Sequence, residues 1–156
     1  MDPLTSDVRE VLPTDPQIAP LIERHLTFAR ATSPPCSVHA MDGADMVAKG
    51  VRFFAAFDGD LAVAMGALKK LTPPSGELKS MHVHSDYRGA GLADAILEAV
   101  LHAARETELS VIFLETGSQA PFAPARNFYA RHGFAYCPPF EGYVEDPESV
   151  FMTRSL

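Results

Sequence analysis
Two periods of apolar residues alternate along this chain. VRFFAAF, from Val51, and LAVAMGALKKL, from Leu61, are runs of aromatic and aliphatic residues separated by Asp58-Gly59-Asp60, which predicts two strands joined by a tight hairpin. Pro73-Pro74-Ser75-Gly76 marks another turn, and Glu77 to Val83 alternates well enough to continue the sheet, so three successive strands predict an antiparallel meander. Leu92 to Glu106 then changes to a helical period, with Asp94, Glu98, His102 and Arg105 on a polar stripe and Leu97, Val100, Leu101 and Ala104 elsewhere. The continuous apolar run Leu109 to Glu115 predicts a buried strand parallel to the one before the helix, which completes a strand–helix–strand unit.

The flanks are less regular. Val8 to Leu12 reads as a short strand, and Gln17 to Ala29 as a helix whose apolar face is Leu21, Ile22, Leu26 and Ala29, with Pro16 and Pro20 blurring its start. Ser33-Pro34-Pro35 breaks the pattern, and Met41 to Ala48 offers a second short helix, so this region is expected to form an irregular two-helix lid. A further helix runs from Ala123 to His132, with Pro124 in its first turn and Gly133 just past its end. Phe134 to Cys137 and Val150 to Arg154 supply two closing strands. No internal repeat, low-complexity tract or linker interrupts the chain, and 156 residues with 47% apolar content suit one domain spanning 1–156.

Twenty acidic residues against 13 Lys and Arg give a formal charge of −7, and Lys69-Lys70 is the only adjacent basic pair. Nucleic-acid backbones and anionic membranes are therefore not expected partners. The same acidity would attract a cationic amine, and it is also an ordinary solubility device. Cys36 and Cys137 lack the paired spacing of a zinc site or a disulfide framework, so two partly buried reduced thiols and no metal are expected. No apolar run approaches the roughly 20 residues of a membrane helix, and the opening MDPLTSDVREV is acidic where a secretory signal would be basic, so the expected location is cytoplasmic.

The chemistry concentrates at Tyr87-Arg88-Gly89-Ala90-Gly91-Leu92-Ala93, between a strand and an amphipathic helix. The first N–H groups of a helix are unpaired and its dipole is positive there, so a pyrophosphate can be held without a charged side chain, and glycine lets it approach the backbone. A tight turn that merely uses Gly89 and Gly91 for their backbone freedom is the competing reading. The longer glycine pattern of dinucleotide folds and the P-loop are both absent.

ELKSMHVHSDYRGAGLADAIL resembles motif A of the GNAT superfamily of N-acetyltransferases, with Arg88, Gly91 and Ala93 at its key positions. FAPARNFYARHGF, Phe122 to Phe134, is similar to the superfamily's motif B, so the resemblance covers about the C-terminal half of the chain; Ala93 stands where many members have Gly. The N-terminal half, including SPPCSVHAMD, resembles the variable acceptor-binding part of small bacterial members and names no substrate. The resemblance implies an α/β fold with a mixed sheet splayed beside the strand of Met81 and Val83, whose backbone pairs with a pantetheine arm. It implies acetyl-CoA as the cofactor, bound by Met81, Val83, Arg88, Gly89, Ala90, Gly91, Ala93 and Asn127, an amine as acceptor, and a homodimer as one form of the family. Small-molecule, amino-acid-like and protein acceptors all stay open, as does a non-catalytic acyl-CoA sensor.

Acetyl transfer to an amine needs the nitrogen deprotonated, the thioester carbonyl polarised and the departing thiolate protonated. Tyr129 matches the position from which related enzymes direct a hydroxyl at the CoA sulfur, which makes it the candidate acid; packing like Phe128 is its alternative. Glu77 resembles the catalytic glutamate of histone-type members and could take the amine proton, or form an exposed ion pair with Lys79 on the same strand face. His25, His39, His82, His84 and Glu115 are further titratable groups near the expected acceptor side; exposure explains His82 and His84, and Glu115, at the end of a buried strand, could bind an acceptor amine or cap the following turn. Phe122, Phe140 and Tyr143 could line an acceptor pocket or fill the core.

Overall fold
A computed structural model describes residues 7–156. Its strands are β1 (Val8–Val11), β2 (Arg52–Asp58), β3 (Leu61–Lys70), β4 (Ser75–Val83), β5 (Val111–Gly117), β6 (Ala135–Cys137) and β7 (Ser149–Ser155); its helices are α1 (Ala19–Thr32), α2 (Gly43–Ala48), α3 (Leu92–Glu106) and α4 (Ala123–Arg131). The seven strands form one sheet in the order β1-β2-β3-β4-β5-β7-β6. β1 to β4 are antiparallel neighbours, β4 and β5 run parallel, and β5, β7 and β6 close the sheet antiparallel. This is the mixed α/β fold expected, with the meander first and the crossover unit after it.

Side-chain alternation sorts the sheet's two faces. On one, Ile96, Leu97, Val100 and Leu101 of α3 pack on Leu68, Leu78, Ile112 and Leu114, and Tyr129 and Phe134 extend this core toward α4. On the other, Leu21, Ile22 and Leu26 of α1 and Met46 of α2 bury Phe53, Phe57, Met65 and Ala67. The first two helices are thus a packed layer rather than a detachable lid. α1 persists to Thr32 because nothing before Pro34 stops it; Ser33, preceding that proline, is extended at ψ 149°. α2 begins two residues later than its apolar pattern implies, since the Asp42 carboxylate accepts from the Asp45 N–H and sets the cap there.

Two irregularities shape the site. β4 pairs with β5 only from Ser75 to Glu77, opposite Val111 to Phe113, and beyond that point the two strands diverge. Before the divergence, Ser110 and Val111 both donate to the Pro74 carbonyl, which fixes β5 two residues further along than its apolar run suggests. On the β3 side, the register jumps from Met65↔His82 to Ala67↔Lys79, so β4 carries an extra residue there, and Ser80 takes φ +58°. Gly66 sits opposite this bulge. A Cβ on it would lie 2.5 Å from Cγ2 of Ile96 and 2.7 Å from Sδ of Met81. Gly66→Ala should therefore lower stability by about 1–3 kcal/mol through overpacking, to be read as a reduced urea midpoint with an unchanged m-value.

Candidate active site
The divergence of β4 from β5 opens a cavity of about 510 Å³. Glu77 to Val83 of β4 line one wall, and Glu115 to Gly117 of β5 face them. Val83 stands six positions beyond Glu77, so the strand carries the cavity over about 20 Å. One end meets the start of α3, and the other is lined by α1 and the segment that follows it.

At the first end, Gly91 is the N-cap of α3 in the left-handed region, φ +79°, and no side chain caps the helix's first N–H groups. Gly89 is also left-handed, φ +82°, with open space where a Cβ would point. Arg88, Gly89, Gly91 and Ala93 line the cavity. An uncapped helix start flanked by left-handed glycines fits a pyrophosphate, and the edge of β4 from Leu78 to Val83, unpaired with β5, fits an extended amide chain. These features accommodate acyl-CoA, and Met81 and Val83 stand on that edge. Ala90 instead packs into the α3 core.

Asn127 lies exposed on α4 and is not among the residues that line the cavity, whereas Phe128, Tyr129 and Arg131 of the same helix do. The Tyr129 ring is buried, 7% exposed, against Phe128 and Phe134. Burial, with the negative field of Glu115, pushes its phenol pKa up, so the hydroxyl stays protonated across the physiological range.

The second end holds charge in an apolar setting. Glu77 is 2% exposed, and Oε2 accepts from the Tyr143 hydroxyl at 2.7 Å and from Lys79 Nζ at 3.1 Å; Nζ also donates to the Tyr143 oxygen at 3.1 Å. The Glu77–Lys79 pair is thus a buried triad with a tyrosine, not the exposed surface pair that strand spacing allowed. Tyr143 was legible only as an aromatic, since it lies 66 positions beyond Glu77 in the chain. It packs against Phe140, Phe151 and His39.

Glu115, two positions along β5 from the divergence, is largely buried, and no cation forms a salt bridge with it among the described residues. Burial raises its carboxyl pKa to about 7; the Ser149 hydroxyl, beside it without closing a full hydrogen bond, and Lys79 offset part of this, while Glu77 and Asp146 add to it. A carboxyl raised in the fold makes stability highest below the unfolded pKa and diminishes it as pH rises through about 7. Glu115→Gln should therefore raise the melting temperature at pH 8 and converge on wild type as pH falls toward 5, checked by thermal scans across that range.

The histidines are poor bases here. Burial holds the pKa values of both His25 and His82 down to about 4, and their rings lie 5.3 Å apart. His39 is also lowered by burial. His84, expected to be exposed, is buried, and its Nδ1 accepts from the Asp86 N–H to close the turn after β4. Phe28 and Phe122 meet edge to face at 5.1 Å in the cavity wall. The segment after α1 is tied across the opening by Ser37 Oγ donating to Asp146 at 2.6 Å and by Gln119, which donates to both Ser33 and Glu148. Cys36 is exposed and Cys137 half-buried, both as free thiols. Among the described residues, no His, Cys, Asp and Glu cluster is arranged to hold a metal, and no helix is long and apolar enough to cross a membrane.

Residues 18–134 match the model of the acetyltransferase (GNAT) family. The chain belongs to that family. An uncharacterized N-acetyltransferase of Bacillus subtilis, YsnE, is 39% identical over 143 residues, 92% of this chain and 95% of that protein. An IAA acetyltransferase of Azospirillum brasilense is 32% identical over 145 residues, covering 92% and 94% of the two chains. A Klebsiella pneumoniae protein assigned to the acyl-CoA N-acyltransferases superposes with a TM-score of 0.77 at 27% identity, over 96% of each chain. PaiA N-acetyltransferase of Thermoplasma acidophilum, solved with coenzyme A, shares the fold at a TM-score of 0.74 and 13% identity, over 96% of this chain and 98% of that one. This GNAT protein is an N-acetyltransferase by family, and it shares its fold with an enzyme solved with coenzyme A.

Proposed function
We propose that the chain, as a single cytoplasmic domain, transfers an acetyl group from acetyl-CoA directly to the amine of a small-molecule acceptor. The observation that supports this most is that one cavity joins the glycine turn of α3 to the buried carboxylate of Glu77 and the half-buried one of Glu115, with the Tyr129 ring in its wall. Acetyl-CoA supplies an activated acyl thioester. Gly89, Gly91 and Ala93 would receive its pyrophosphate at the helix start, with Arg88 beside them, and the free edge of β4 at Met81 and Val83 would hold its amide-bearing arm extended.

The protein's own groups then divide the proton traffic. Tyr129 keeps its proton near neutrality and can deliver it to the departing sulfur. Glu77 is held at the far end of the cavity by Lys79 and Tyr143. A thiol-release assay with acetyl-CoA against amines, amino acids and peptides tests the reading. Turnover with a small amine supports it; turnover confined to peptides, or acetyl-CoA binding with no thiol release under any acceptor, overturns it.

A further inference from the structure
Building on that reading of the cavity, we propose that its acceptor end is built for a primary amine carrying no carboxylate, with the amine nitrogen received by Glu115. The argument is one of charge at close quarters. An α-amino acid would bring a carboxylate within a few ångströms of its nitrogen, and that carboxylate would need a cation or several donors once removed from water. The acceptor end has none to spare. Lys79 is its ammonium group, 9% exposed in its side chain, and it is already committed to Glu77 and to the Tyr143 hydroxyl. His25, His39 and His82 are uncharged near neutrality. Arg88 and Arg131 belong to the opposite end, at the start of α3, where His132 meets Asp94; Arg24 is exposed on α1 and reaches His82 only through its field. Arg126 donates to the Gly117 and Gln119 carbonyls, so it holds the loop after β5 instead of facing the cavity.

The groups that do face Glu115 favour a cation without an anion. Glu77 and Lys79 from β4 and Tyr129 from α4 share the cavity with it, and Tyr143 and Asp146 from the loop between β6 and β7 lie within reach of its field. With Lys79 neutralised by Glu77, the field that remains is negative. An ammonium group relieves it, and a second carboxylate would add to it. The rest of an acceptor meets the edge-to-face pair Phe28 and Phe122, an apolar wall suited to a hydrocarbon or aromatic body.

Glu115 is also placed to use the proton that it receives. Its carboxyl, poised near 7 by burial, takes one proton from the ammonium; the freed nitrogen attacks the acetyl carbon, and the carbon–nitrogen bond forms as the carbon–sulfur bond breaks. The sulfur takes the Tyr129 proton, and the nitrogen's second proton returns to the phenol through solvent. Glu77 cannot do this as readily, because Oε2 already accepts two hydrogen bonds, one from an ammonium.

The test is thiol release from acetyl-CoA with matched pairs, phenethylamine against phenylalanine and agmatine against arginine, on wild type and Glu115→Gln. The amine of a pair should exceed its amino acid in kcat/KM by tenfold or more. Glu115→Gln should lower kcat/KM for the amine by about 100-fold or more, leave acetyl-CoA affinity by calorimetry within twofold, and remove the acidic limb near pH 7 from the rate profile. Equal or better use of the amino acids overturns the inference while acetyl transfer to small molecules stands, as does an unchanged Glu115→Gln profile. Release with neither member of either pair also overturns it, and the wider acceptor panel then decides whether acetyl transfer falls with it.

Discussion

Tyr129→Phe should cost about 10²–10⁴-fold in turnover at saturating substrates, a barrier increase of roughly 3–5 kcal/mol, with little change in acetyl-CoA affinity or stability. The expectation follows from what the substitution leaves in place. The ring keeps its contacts with Phe128 and Phe134, and the phenol makes no hydrogen bond to another described residue, so its removal orphans no buried partner. What disappears is a proton held in a dry cavity wall, its pKa raised by burial and by Glu115. Single-turnover kinetics are the right measurement, because they isolate the chemical step from product release. Wild-type single-turnover rates would reduce Tyr129 to a packing residue.

Gly91→Glu should weaken acetyl-CoA binding by on the order of 100-fold or more, about 2.7 kcal/mol, as read by calorimetry. The glycine is left-handed at φ +79° and caps α3 with its backbone alone. A glutamate there sets a carboxylate before the helix's uncapped N–H groups, where a pyrophosphate would otherwise be bound, and adds like charge to the repulsion. The conformational cost to the fold, roughly 1–2 kcal/mol for a side chain in this region, can be followed separately by thermal melting. A folded variant with undiminished acetyl-CoA affinity would remove the glycine turn from the cofactor site.

The helical and strand periods made most of the fold legible: the meander, α3, and the parallel β5 follow from period and turn chemistry alone. Boundaries shifted where a single hydrogen bond overrode the pattern, as at Asp42 before α2 and at the Pro74 carbonyl before β5. The cofactor end of the site was readable because glycines at a strand–helix junction are contiguous in sequence. The acceptor end was not. Lys79 and Glu77 sit two residues apart, which says that they share a face and nothing of whether that face is wet; burial by Tyr143 and Phe140 from a distant loop decides it. Glu115 was visible as a carboxylate at a strand end, but its value as a base depends on the absence of a paired cation, which spacing along the chain does not encode.

The parting of β4 from β5 also bears on how the chain avoids sticking to itself. The sheet's outer strands are short, four residues in β1 and three in β6, which leaves little for a neighbouring molecule to add to. The longest unsatisfied strand margin, Leu78 to Val83, points inward and is walled by α1 and α4. While these two helices are undocked during folding, that margin is open to any extended peptide, including the same segment of another copy. Once they dock, the slot admits one extended chain at a time, so the feature that would seed aggregation in the nascent chain is confined in the native protein to a ligand of a single strand's width.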